Sequence, residues 1–254
     1  MIENEYFKEK LKRVDMVLPI RAKGIKLTRN RVKILDKLSV EISNREGITV
    51  VLGFNGAGKS ALLRVLTGLI LPDFGELTYG GFSLQSEQIK NSQTLVLQKP
   101  VMLRRSVGEN VRYGFIQVRD RAASNMRFEE LISQCQIADL VDRPARSVSI
   151  GEQQRVSLAR ALALDPRVIY LDEPTSSLDP VSVQVVEDVI KKESELGRKI
   201  IWVTHSVEQA RRLASEVIFI HDGRVVEHQR ATDFFRKPTT KIATTFLEGA
   251  VDYG

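Results

Sequence analysis

Three residue types with distinctive chemistry are scarce: one cysteine, three histidines and one tryptophan occur among 254 residues. The lone cysteine, Cys135, has no internal partner, so the fold does not depend on a disulfide, which suits a reducing compartment. No apolar run approaches the ~20 residues that a bilayer-spanning helix requires, so the chain is not expected to be membrane-integral by itself. The opening MIENEYFKEKLKRVD mixes acids with bases and lacks the apolar stretch of a signal peptide. An excess of one charge is missing too. Thirty-eight basic and 32 acidic residues leave +6, which suits a polyanionic ligand and an anionic membrane surface equally. Internal repeats and low-complexity tracts are absent. What remains is an ordinary globular composition, 43% hydrophobic and 28% charged, at a length suited to one large α/β domain with room for an inserted subdomain.

Periodicity supplies the fold class. GITVVLGFNGAGKSALLRVLTGLI passes from a β-branched apolar strand through a glycine-rich turn into a helix. RVIYLDEP and RKIIWVTH give two more buried strands, and EVIFIHDGRVVEH reads as a hairpin turning at Asp222-Gly223. Between those two strands, PVSVQVVEDVIKKESELG has helical spacing and stops at Gly197. Strands alternating with helices predict a mainly parallel sheet with crossover helices. From about Lys99 to Ser147 the apolar positions (Val107, Val111, Phe128, Leu131, Ile132, Ile137, Leu140) recur at helical intervals, which predicts a helical insertion. The tail DFFRKPTTKIATTFLEGAVDYG is expected to pack as a helix with a loose end.

The chemistry concentrates at strand ends. GFNGAGKS, residues 53–60, satisfies G-x-x-x-x-G-K-[ST] and lies between a strand and a helix, the context that gives the motif meaning. Gly53, Gly56 and Gly58 allow the chain to turn so that backbone N–H groups, with those of Asn55 and Ala57, converge on phosphates at a helix N-terminus. Lys59 is placed to reach the β- and γ-phosphates and Ser60 to ligate Mg²⁺. Ala61 follows where many such loops carry a threonine, so one hydroxyl is missing. Asp172, at the end of RVIYLDEP, is suited to holding Mg²⁺ through water, and Glu173 to polarising an attacking water. His205, ending IIWVTH, is a candidate for the γ-phosphate or for positioning that water. A lone histidine there is more often structural, and only the other motifs single it out; His221 and His228 have no such context.

GFNGAGKS, SIGEQQR, VIYLDEP, SSLD and WVTH follow one another in the order and spacing of the ATP-binding subunits of ABC transporters, and the resemblance covers nearly the whole chain. It implies a P-loop NTPase (RecA-like) core, an antiparallel β portion and a helical subdomain at about 99–150 within a single domain, residues 1–254. It also implies a head-to-tail homodimer with two MgATP at the interface. Gln98, in LVLQKP, then opens the helical subdomain and contacts the metal and the reacting phosphate. Val148-Ser149-Ile150-Gly151-Glu152-Gln153-Gln154-Arg155 matches a signature usually written L-S-G-G-E/Q-Q followed by Gln and Arg. Ser149, Gly151 and Glu152 fall at positions expected to meet the ATP held by the partner subunit, and Asp179 of SSLD at the loop that crosses the interface. Ile150 departs from the pattern and cannot adopt glycine-only angles. The signature survives if φ at Ile150 is negative and its side chain turns away. A second departure is the lack of an aromatic residue in KGIKLTRNRVKIL to stack on adenine, so either Leu27 or Arg29 covers the base or base selectivity is loose.

Within that family KPVMLRRSVGENVRYG resembles the part that receives membrane permease subunits, with Arg104-Arg105 either touching the partner or forming a solvated face. The absence of a long C-terminal regulatory domain resembles a minimal importer subunit, working with a separate solute-binding protein and sitting peripherally on the cytoplasmic face of the cell membrane. The stretch THSVEQARRLASEVIFIHDGRVVE resembles subunits that energise uptake of tungstate and related oxyanions, with phosphate and polar amino-acid importers close by. A soluble ABC ATPase acting on DNA or ribosomes is the alternative of another class, but the coiled-coil insertion, second nucleotide domain or basic arm typical of one is missing, so no nucleic-acid partner is expected. A phosphate-loop binding module that never forms the sandwich is the third reading.

Overall fold

The structure, a computed structural model, describes residues 17–43, 47–84, 86–116 and 121–249. The opening fifteen residues and the expected loose end at 250–254 lie outside the described residues.

Six strands form the central sheet. They are β3 (Ile48–Leu52), β6 (Gln93–Val96), β7 (Val168–Asp172), β8 (Lys199–Val203), β9 (Ala214–His221) and β10 (Arg224–Arg230), in spatial order β10-β9-β3-β8-β7-β6. All neighbours run parallel except β10, which pairs antiparallel with β9 across the turn at Asp222 (φ 47°) and Gly223 (φ 70°). Positive φ at both central residues is what a two-residue hairpin turn demands. Every residue of β3, β7 and β8 is buried. That explains why these strands read as continuous apolar runs rather than alternating ones.

The two faces carry separate cores. Ile200 and Trp202 of β8, with Ile169 and Leu171 of β7, pack under the helices Val107–Arg112, Arg121–Gln134, Ile150–Ala163 and Pro180–Glu195. Ile201 and Val203, with Val168 and Tyr170, face the helix Lys59–Leu66 and a second sheet. The alternation follows from the two-residue period of a strand. The second sheet is antiparallel, ordered β2-β1-β4-β5 from β1 (Ile20–Arg29), β2 (Val32–Ile42), β4 (Phe74–Tyr79) and β5 (Phe82–Ser83). Between β6 and β7, which are adjacent in the sheet, the chain forms the helices Val107–Arg112 and Arg121–Gln134 within the stretch expected to be helical, and Ile150–Ala163 begins where that stretch ends.

The tail departs from a single helix. It forms Ala231–Arg236 and Lys241–Gly249, separated at Lys237-Pro238, because proline has no N–H to continue the helix and restricts the residue before it. Leu27 is also corrected. It is 1% exposed in the core between the two sheets, so it cannot cover a base, whereas Arg29 reaches the surface.

Candidate functional site

The phosphate-type loop leaves the C-terminal end of β3 and closes back on its own chain. The Ala57 N–H donates to the Phe54 carbonyl (3.1 Å), and the Gly223 N–H of the hairpin turn donates to the Ala57 carbonyl (3.0 Å). Gly58 has φ 101°, and a Cβ there would lie 2.8 Å from the Ile34 carbonyl oxygen of β2. Glycine is required at that position both for the backbone angle and for the approach of the second sheet. Asn55 and Gly56 are exposed at the tip, and Ala61 is half-buried on the first helical turn. Lys59 is buried, and its Nζ donates to the carbonyls of Gly53 (2.8 Å) and Phe54 (3.0 Å). Burial lowers the pKa of its ammonium, while the charges of Glu173 and Asp172 pull it back up.

The carboxylates stand opposite this loop. The Ser60 hydroxyl donates to Asp172 Oδ1 at 2.6 Å. Burial pushes the Asp172 carboxyl above its ordinary range, and the Ser60 hydrogen bond and the charges of Arg64 and Lys59 oppose that push. A hydroxyl and an ionisable carboxyl, both hard oxygen donors, fit a magnesium ion that keeps its remaining positions for water and phosphate oxygens. Among the described residues there is no cluster of three or more His, Cys, Asp or Glu able to hold a metal without such help.

One residue further, the backbone turns. Glu173 has φ 45°, an uncommon angle for a residue with a side chain, and its N–H bonds to the Val203 carbonyl at 3.1 Å. Glu173 lines a pocket of ≈ 200 Å³ together with Thr175, Ser176, Thr204, His205 and Gln209. Glu173 Oε2 lies 3.2 Å from His205 Nδ1 and 3.4 Å from the Gln98 amide nitrogen. An ionised carboxylate only accepts hydrogen bonds, so the first contact places the proton on Nδ1 and leaves Nε2 for another partner. Gln98 also donates to the Ser176 hydroxyl (3.0 Å), which in turn donates to the Glu173 carbonyl (3.1 Å). Gln98, Glu173 and His205 therefore meet, next to the Ser60–Asp172 pair.

The remaining site residues assemble elsewhere in the chain. Ser149 caps the helix Ile150–Ala163 reciprocally with Glu152: the Glu152 N–H donates to Ser149 Oγ (3.3 Å) and the Ser149 N–H to Glu152 Oε2 (2.7 Å). Those contacts hold the Glu152 carboxyl below its usual range. Ile150 is the first helical residue, has no positive φ and is 54% exposed, so its side chain projects outward and the turn is intact. Gly151 is buried against the start of the helix Pro180–Glu195, where Asp179 is the N-cap and accepts from the Ser182 N–H at 3.0 Å. Hydrogen bonds from Ser182 hold the Asp179 carboxyl below its usual range. Among the described residues no hydrogen bond joins Ser149, Glu152 or Asp179 to residues 53–60 of the same chain.

Sequence reasoning missed Thr175 and Gln209, which sit directly behind Glu173 and His205. The only available signal was position: Gln209 falls on the inward face of the first turn after His205.

The family model for ABC transporters matches residues 35–176. The chain is 38% identical over 182 residues to the tungstate uptake system ATP-binding protein of Peptoclostridium acidaminophilum, covering 71% of this chain and 84% of that one. It is 34% identical to the L-cystine import ATP-binding protein of Bacillus subtilis (90% and 97% covered). It is 32% identical to a phosphate import ATP-binding protein of Lactobacillus johnsonii (91% and 97% covered). Among solved structures, an ATP-binding subunit of an ABC transporter superposes with a TM-score of 0.78 at 22% identity, covering 92% of this chain and 97% of that one. The structure of cbiO1 from Clostridium perfringens, part of the ABC transporter complex cbiONQ, gives 0.75 at 23%, with 93% and 97% covered. These likenesses to solved structures bear out the P-loop NTPase fold. With the glycine loop, the Ser60–Asp172 pair and the Glu173–His205 contact already in place, the family match makes the chain a member of the ABC transporter family, an ATP-binding subunit with ATPase activity.

Proposed function

We propose that this subunit energises an importer, with a tungstate-like oxyanion as the solute, by hydrolysing MgATP between two copies of the chain. The observation that carries the hydrolytic part is the convergence of Gln98 and His205 on the Glu173 carboxylate, one residue from the Ser60–Asp172 pair. In this reading residues 1–254 are one ATP-binding domain and about 99–150 its helical subdomain. Gly53, Asn55, Gly56, Ala57 and Gly58 surround the phosphates with backbone N–H groups, and the Lys59 ammonium exchanges its two carbonyl partners for phosphate oxygens. Ser60 and Asp172, with Gln98, hold Mg²⁺, which when bound neutralises charge on the β- and γ-phosphate oxygens.

Glu173 then takes the proton of a water as its oxygen attacks the γ-phosphorus and ADP leaves, while His205 orients the carboxylate through Nδ1. Among the described residues Ser149 and Glu152 make no hydrogen bond to the loop of their own chain. That supports Ser149, Gly151 and Glu152 engaging the phosphates bound to the partner copy, with Asp179 beside them at the interface. No described helix is long and apolar enough to cross a membrane, so permease subunits carry the transport path and the chain works peripherally at their cytoplasmic face. A pocket of ≈ 530 Å³ lined by Arg104, Arg105, Asp142 and Arg146 is the proposed seat for them. A separate solute-binding protein completes the system.

The tungstate assignment is supported by the relative named for tungstate uptake; the phosphate and cystine relatives supply the competing solutes. Glu173→Gln should lower ATP turnover by orders of magnitude while nucleotide still binds. Comparable turnover in the variant overturns the base assignment. In cells offered limiting tungstate, molybdate or phosphate, the same variant should abolish accumulation of tungsten, measured by elemental mass spectrometry. Undiminished tungsten together with loss of phosphorus or cystine uptake would reassign the solute.

A further inference from the structure

Behind the Glu173–His205 contact lies a second polar layer. Gln209, on the helix Val207–Leu213, is 5% exposed, and its Nε2 donates both to the Thr175 hydroxyl and to Glu187 Oε1, each at 2.9 Å. Only the amide nitrogen can serve a carboxylate, so the orientation of this amide is fixed by chemistry. Glu187 is 1% exposed, and the Arg212 guanidinium donates to the same Oε1 at 2.8 Å. A buried carboxylate is tolerated when paired and hydrogen-bonded in this way.

The three parts tied together are the turn that follows Glu173, the helix that follows His205, and the helix that Asp179 caps. Ser206 sets the start of the second: its hydroxyl accepts from the Gln209 N–H (3.2 Å), and its own N–H donates to the Thr204 hydroxyl (3.1 Å). We propose that Gln209 is a positioning residue for hydrolysis: its bridge from Thr175 to Glu187 fixes the Glu173 turn against the His205 loop and so sets the distance between the two working side chains. This rests on the reading of Glu173 and His205 as the hydrolytic pair.

Glu173 stands at an unfavourable backbone angle, and such conformations persist only when the surroundings over-determine them. The Gln209 bond to Thr175, two residues on, is one such constraint. Without it the Glu173 carboxylate has one fewer restraint holding it at 3.2 Å from His205. A loss of registry of about 1 Å at reacting groups costs up to about 100-fold in rate.

The test uses the purified full chain. Gln209→Met keeps the size and removes both hydrogen bonds. It should lower kcat for ATP about 10- to 100-fold, with the affinity for a fluorescent ATP analogue changed less than about twofold. Combined with His205→Ala, it should cost no more than His205→Ala alone, because the two act through one contact. Gln209→Glu should lose kcat by placing two carboxylates together, and the exchange Gln209→Glu/Glu187→Gln should recover most of it. If Gln209→Met does not fold, Thr175→Val removes the same bond from the other side and should reproduce the kcat loss. Multiplicative losses in the His205 cycle, or weakened nucleotide binding with unchanged kcat, overturn the proposal. Failure of the underlying reading looks different, since Glu173→Gln would then retain turnover whatever Gln209 does.

Discussion

Gly151→Ala pits helix propensity against packing at the signature turn. Gly151 is the second residue of the helix Ile150–Ala163 and has no positive φ, so its backbone does not require glycine. By propensity alone the substitution would stabilise the helix by up to about 1 kcal/mol. The neighbours oppose this. An added Cβ would stand 2.5 Å from Ser182 Oγ and 3.1 Å from Asp179 Oδ2. Ser182 is buried, and its backbone N–H is held by Asp179, so it has little room to retreat. Overpacking of this kind costs about 1–3 kcal/mol, which exceeds the propensity gain. For a chain of this length each kcal/mol moves Tm by about 2–4 °C. The expected result is a fall of a few degrees in differential scanning calorimetry, with ATPase activity reduced because Ser149 and Asp179 are pushed apart. Adding Ser182→Ala should return part of the loss, leaving the double variant closer to Ser182→Ala than additivity allows. A rise in Tm for Gly151→Ala would show that propensity wins and refute the packing argument.

Lys199 is fully buried on β8, its Nζ has no hydrogen-bond partner among the described residues, and burial pushes its pKa down to about 8 against the attraction of Glu216. Between about pH 8 and the ordinary lysine range the unfolded chain binds more protons, so stability rises with pH there. Lys199→Met should raise Tm at pH 7 by an amount equivalent to about 1–3 kcal/mol and flatten that rise, which melts at several pH values would reveal. Burial pushes the Cys135 thiol up to about 12. Native protein should therefore resist thiol alkylation at pH 8 and react only under denaturant, as intact-mass measurement would report. Ser149→Ala removes a two-way cap and should cost about 1 kcal/mol, seen as a lower Tm beyond any change in activity. With Leu27 buried and Arg29 bonded to Asp73 and the Leu71 carbonyl, no aromatic platform comes from β1 or β2. GTP should then compete with ATP for binding to within about an order of magnitude, and strong ATP preference in a competition titration would contradict it.

Much of the site was legible because its chemistry is carried by short stretches whose geometry is local. The glycines of residues 53–60 and the stretch SIGEQQR are recognised from residues a few positions apart, and the acids ending RVIYLDEP from their place at the end of an apolar strand. Ile150 shows where local reading stops. Its residue type raised a doubt about the turn, and only its placement as an exposed first helical residue removed it. Leu27 shows the converse, since a residue of β1 in an exposed-looking sequence context is turned into the core between the two sheets.

The sequence by itself determined the buried strands at 48–52, 168–172 and 199–203, the glycine-rich loop at 53–60, the acids at a strand end and the helical run that follows Lys99, because period, turn residues and motif spacing are one-dimensional properties. Tertiary structure alone decided which distant groups meet. Gln98 reaches Glu173 from 75 positions away, Ser60 reaches Asp172 from 112, and Gln209 joins Thr175 to Glu187 from 34 and 22. Such contacts follow from strand order and helix packing, which hydrophobic burial sets across the whole molecule and no local pattern encodes.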